Sequence, residues 1–187
     1  MRFLLNGPIP WLGPGMVISI LVAAVAAGRI ARILQVRTPV AFLLVVSLGL
    51  IVSATVTPLR GAIEYGAIGG GSCDVSRLVP LAPTRWLTLS EQSLNIAMFI
   101  PLGLALGLVP RSPAKAVLVV AALALPLIIE LIQLATPVMA RGCETADVID
   151  NLSGLLVGLG IGTLLGWLGS DRRTGEPTPD GDPDPVG

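Results

Sequence analysis

Apolar residues run almost unbroken through five stretches of the chain, about 12–28, 39–57, 94–109, 114–136 and 148–168. The short segments between them gather charged residues, prolines and glycines. At a helical rise of about 1.5 Å per residue, runs of this kind are read as helices that cross a hydrocarbon core about 30 Å thick. The pattern therefore predicts an all-α fold, a polytopic transmembrane helical bundle of about five spans. Most of the 187 residues are taken up by helices and short connections, which leaves no room for a separate soluble domain.

Interruptions within the apolar runs carry the rest of the information. Pro101 and Pro126 fall inside the third and fourth runs, where each removes an amide donor and frees the carbonyl four residues earlier, that of Ala97 and of Ala122. Small residues recur at four-residue spacing: Ser19, Ala23, Ala27 and Ala31 in the first run, Gly154, Gly158, Gly162 and Gly166 in the last. Such stripes let helix backbones approach closely in lipid, either within one chain or between copies of it, so an oligomer through the glycine stripe is one expectation.

Polar residues are the third kind of interruption. An ionisable group facing lipid costs at least about 2.5 kcal/mol, so such residues turn inward and find partners. Glu130 and Gln133 share one face of the fourth run, and Asp147, Asp150 and Asn151 share a face where the fifth begins. Measured from the end of the fourth run near Thr136, Gln133 lies about 4 to 5 Å and Glu130 about 9 Å deep. Asn95 has a similar depth in the third run, and Arg141 in the connecting loop is the nearest cation. Together, Asn95, Glu130, Gln133, Arg141, Asp147, Asp150 and Asn151 are expected to form one polar cluster at one level of the membrane.

Hydrophobic residues make up 53% of the chain and the mean hydropathy is +0.83, which agrees with an integral membrane protein. The net charge is zero, but orientation follows the placement of Lys and Arg around the spans. Arg29, Arg32 and Arg37, then Arg111 and Lys115, then Arg172 and Arg173 mark three cytoplasmic segments, with the N-terminus outside and the C-terminus in the cytoplasm. That orientation exposes Cys73 and Cys143 to an oxidising compartment, where a disulfide between them can form; two unrelated thiols are the alternative. The chain has no histidine, which excludes histidine-based acid–base, nucleophile and zinc chemistry. No basic patch for nucleic acid and no phosphate-cradling loop is present. Neither a metal nor a cofactor is expected, and no catalytic residue is assigned.

Three separately placed motifs resemble the VanZ-like membrane proteins. They are Ser93-Leu94-Asn95-Ile96-Ala97-Met98-Phe99-Ile100-Pro101-Leu102-Gly103, then Glu130-Leu131-Ile132-Gln133, then Arg141-Gly142-Cys143-Glu144-Thr145-Ala146-Asp147-Val148-Ile149-Asp150-Asn151-Leu152-Ser153-Gly154. The likeness covers about residues 45–168. It implies a multi-pass protein of the cell membrane, with relatives associated with resistance to glycopeptide antibiotics, notably teicoplanin. Relatives of this type have four spans, so the resemblance makes residues 1–38 an extra transmembrane helix with a basic cytoplasmic loop. Residues 39–169 then form the four-helix core and 170–187 a disordered cytoplasmic tail. Relatives usually carry an aromatic between Arg141 and Asp147, and this chain has none there.

The reading that unites these features is an outer-leaflet polar pocket that binds a membrane lipid or a lipid-linked wall precursor. In it Arg141 attracts an anionic group while the amides orient it. Two rivals are a membrane enzyme using the carboxylates as acid and base or as Mg2+ ligands, and a purely structural polar clasp. Transport is the weakest alternative, because the cytoplasmic half of the spans is nearly bare of polar residues.

Overall fold

The computed structural model describes residues 9–88 and 90–174. Five long helices account for most of them: α1 (Leu12–Leu34), α2 (Thr38–Thr55), α4 (Glu91–Gly107), α5 (Pro113–Ala135) and α6 (Thr145–Thr174). A short helix α3 (Arg60–Tyr65) and a two-residue parallel pairing of β1 (Cys73–Asp74) with β2 (Cys143–Glu144) lie in the connections. Helix α6 continues past Ser170, where the sequence suggests that order ends, and residues 175–187 of that expected tail lie outside the described residues.

Local chemistry sets the boundaries. Gln35 closes α1 in the left-handed conformation, and Pro39 stands in the first turn of α2, where its missing amide costs nothing. Ser90 caps α4: its hydroxyl accepts from the Ser93 amide at 3.2 Å, and the Ser93 hydroxyl accepts from the Ser90 amide at 3.0 Å. Ser112 caps α5 in the same manner, accepting from the Lys115 amide at 3.1 Å.

Four segments, Leu12–Leu34, Thr38–Tyr65, Pro113–Ala135 and Thr145–Gly169, are long and apolar enough to cross a membrane. The third of the five expected spans is not of this length. Its helix, α4, has 17 residues and so measures about 25 Å. It is the most enclosed of the five, burying Ile96, Phe99, Leu102, Ala105 and Leu106. The other helices keep large apolar side chains outside, as on α1, where Val17, Ile18, Leu21, Val22 and Val25 are all exposed. In water a patch of that size would aggregate; in a bilayer it faces acyl chains.

Helices α4 and α6 pack backbone against backbone. A Cβ built on Gly154, Gly158 or Gly162 would land on the carbonyl oxygen of Ile96, Ile100 or Leu104, and one on Gly103 would land on that of Leu155. The first three glycines of the stripe are therefore occupied within the chain. Around this seam Ile51, Phe99, Leu102, Leu106, Ala122, Ile129 and Leu155 form the principal core. The α1–α2 hairpin follows the same logic in a second place: Gly15 sits against Ser53 and Gly49 against Ser19, while Ala23, Ala27 and Ala31 are buried. Ala27, Ala31 and Ala41 make a separate small core there.

The candidate functional site

The end of α2, the start of α4, the end of α5 and the start of α6 meet at one end of the bundle. There the carbonyls that close α2 need donors, because the last turn of any helix leaves carbonyls without intrahelical partners. Gln133, 5% exposed, reaches across from α5 and its Nε2 donates to the Thr55 carbonyl at 2.9 Å. Arg141 supplies two more bonds, from Nε to the Thr57 carbonyl at 2.8 Å and from NH2 to the Ala54 carbonyl at 2.6 Å. A cation at a helix C-terminus also complements the helix dipole. Burial draws the Arg141 guanidinium below its ordinary pKa, against the attraction of the nearby Glu130 and Asp147.

Arg141 is near the carboxylates, but its hydrogen bonds go to main-chain carbonyls, and a different cation pairs with Asp150. That role falls to Arg77, a loop residue to which the sequence reading gave no part in the cluster. The Arg77 guanidinium grips both oxygens of Asp150, with NH1 to Oδ1 at 3.2 Å and NH2 closing on Oδ2, and the bond to Asp150 raises the Arg77 pKa above its ordinary value. Asp150 is completely buried. It also accepts from the Leu81 amide at 3.1 Å, so one carboxylate fixes two points of the loop on α6. Trp86 extends the attachment, its Nε1 donating to the Leu81 carbonyl at 2.8 Å.

A disulfide joins Cys73 to Cys143, with 4.5 Å between their Cα atoms. It stands in the β1–β2 pairing, whose register sets Cys73 opposite Cys143 and Asp74 opposite Glu144. Glu130 supports the same strand from below, Oε2 accepting from the Glu144 amide at 2.8 Å. The bridge spans 70 residues and delivers Arg77, four positions beyond Cys73, to the first turns of α6. That spacing is the signal from which Arg77 can be found. Replacing both cysteines with serine should lower stability by about 2 kcal/mol, near the low end for such a bridge, since inserted helices already confine the unfolded chain. Thermal unfolding in detergent with and without reductant measures it; an unchanged midpoint in both would contradict the estimate.

Of the remaining polar residues, Asn95 and Asp147 are half-buried and neighbour one another across the α4–α6 junction. Asn151 lies one turn deeper than Asp147 on α6 and is 1% exposed, and its Oδ1 has no hydrogen-bond partner among the described residues. Glu91 and Glu144 at the rim are exposed. Arg60 bonds instead to Glu64 within α3, at 3.0 Å. Among the described residues no three His, Cys, Asp or Glu side chains converge as a metal ion would require. The arrangement can do two things: hold the connecting loops rigidly, and present acceptors and amides at the α4–α6 edge.

No curated protein and no solved structure matches the chain at a significant level. The VanZ/LLP1 family model matches residues 40–166, a stretch that starts after α1 and takes in every residue of the polar cluster, Arg77 included. That match covers more than half of the 187 residues, and with the apolar helices it makes the chain a membrane protein of the VanZ/LLP1 family.

Proposed function

We propose that this protein recognises the polar headgroup of a cell-envelope lipid or lipid-linked wall precursor at the disulfide-bearing end of the bundle, and through it contributes to glycopeptide resistance. Positive charge at the opposite end, on Arg29, Arg32, Arg37, Arg111 and Lys115, and a disulfide at this one support placing the site outside. The N-terminus is then outside and the C-terminus cytoplasmic.

One observation carries the reading. Asn95 and Asp147 are half-open beside the unpartnered, buried Asn151 Oδ1, while both neighbouring cations are already bonded to protein acceptors. The half-open groups at that edge, Asp147 and the Asn95 amide bonded to it, are an acceptor and an amide, which suit hydroxyl, amide or ammonium donors of a headgroup better than a bare phosphate. The clasp reading is favoured by the buried Arg77–Asp150 pair, and the two are compatible, since a rigid loop is what positions an open edge.

Asp147→Asn and Asn95→Ala separate them. Loss of a hydrogen bond to a charged group should weaken retention of a lipid-linked disaccharide-peptide, read by native mass spectrometry, about tenfold. The thermal midpoint should stay close to that of the parent, and teicoplanin tolerance of cells expressing the variants should fall. Equal retention by parent and variants would leave only the clasp.

A further inference from the structure

At the other end of α6, about 20 Å from Asp150, a groove of about 650 Å3 lies open on the outward face of the helix. Leu156, Gly160, Thr163, Leu164 and Trp167 line it, together with Arg111 from the α4–α5 connection. Gly160 faces this open space: a Cβ built there meets nothing within 4 Å. The Thr163 hydroxyl donates back to the Leu159 carbonyl at 2.7 Å, so it asks nothing of an occupant. The groove is thus a shallow, open and mainly apolar surface with one cation.

That cation is uncommitted. Arg111 is exposed and belongs to neither ion pair formed among the described residues, Arg60–Glu64 and Arg77–Asp150. Lys115 stands close enough to be repelled by it, and its own ammonium is used on the Gly107 and Val109 carbonyls, at 3.0 and 2.8 Å, where it caps the end of α4. Two cations side by side give this rim a positive field. A shallow apolar groove, a positive rim and a tryptophan of the kind found at membrane interfaces together describe the outline of a charged lipid.

We propose that this groove binds an anionic glycerophospholipid, with an acyl chain along Leu156, Gly160 and Leu164 and the phosphate held by Arg111. The site is independent of the headgroup site at the far end of α6 and does not rest on it. The acyl chain fills the space that Gly160 leaves, and the phosphate neutralises the Arg111–Lys115 repulsion.

The test uses the full chain purified from mixed nanodiscs of phosphatidylglycerol and phosphatidylcholine, with retained lipid counted by native mass spectrometry. The parent should retain phosphatidylglycerol over phosphatidylcholine by about fivefold, the gain from one arginine at a membrane surface. Arg111→Gln should remove that preference, and Gly160→Leu, which fills open space, should reduce retention of both lipids. Equal retention of the two lipids by the parent, or variants that retain phosphatidylglycerol as the parent does, would overturn the proposal. A parent that runs as a dimer and becomes monomeric on Gly160→Leu would overturn it too, since the groove would then seat a second copy.

Discussion

Arg77→Met is expected to destabilise the protein by about 3 kcal/mol, more than any other single change in its loops. Removing one partner of a buried ion pair strands the other, and the stranded group here is Asp150, which has no exposed surface. The loss stays at the lower end for such pairs because the Arg77 side chain is 27% exposed and water reaches it. Asp150→Asn retains an acceptor for the Leu81 amide while discharging the buried site. The double variant Arg77→Met with Asp150→Asn should therefore recover at least half of what Arg77→Met loses. Thermal or denaturant unfolding of the four proteins in one detergent closes the cycle. Losses that simply add would show that the pair does not couple the loop to α6.

Gly158→Leu is expected to be as severe, for a steric reason. A Cβ at this position coincides with the Ile100 carbonyl, and main chain on a neighbouring helix cannot step aside as a flexible side chain does. The α4–α6 seam must open along its length, at a cost of about 3 kcal/mol or more, the upper range for overpacking. Close packing supplies much of the association energy of helices in lipid, so the seam has little else to fall back on. Gly160→Ala, two residues away with open space around it, should leave the midpoint unchanged. Folded yield by size exclusion and thermal unfolding distinguish the two. Similar behaviour of both variants would mean that α4 and α6 do not meet along this stripe.

Much of this architecture is legible in the sequence because a membrane simplifies the code. Four of the five apolar runs correspond to helices long enough to cross it, and the small-residue stripes mark the faces of α1 and α6 that are buried in the structure. The third run is the exception. Its residues 94–109 look like the others, but the helix is bounded by the Ser90 cap and ends at Gly107, and its continuous apolarity reflects burial among helices.

The polar cluster is legible in depth and not in wiring. Helical rise puts Asn95, Gln133 and Asp147 at one level, yet spacing says nothing about which acceptor each donor takes. Gln133 and Arg141 are drawn to the carbonyls at the end of α2, a demand that every helix end creates and that the residue pattern leaves unstated. Arg77 is hidden for a different reason. It lies in a segment without periodicity, and only the disulfide explains why a residue 73 positions away in sequence meets Asp150.

The first helix has a further consequence. Everything that α1 buries is small, Ser19, Ala23, Ala27 and Ala31, and none of its residues enters the principal core around Phe99. It is attached mainly by closeness of backbones, with Ile30 packed part-buried against the small core of Ala27, Ala31 and Ala41. The interior around Phe99 is thus assembled by the four remaining long helices alone, and α1 leans on its outside.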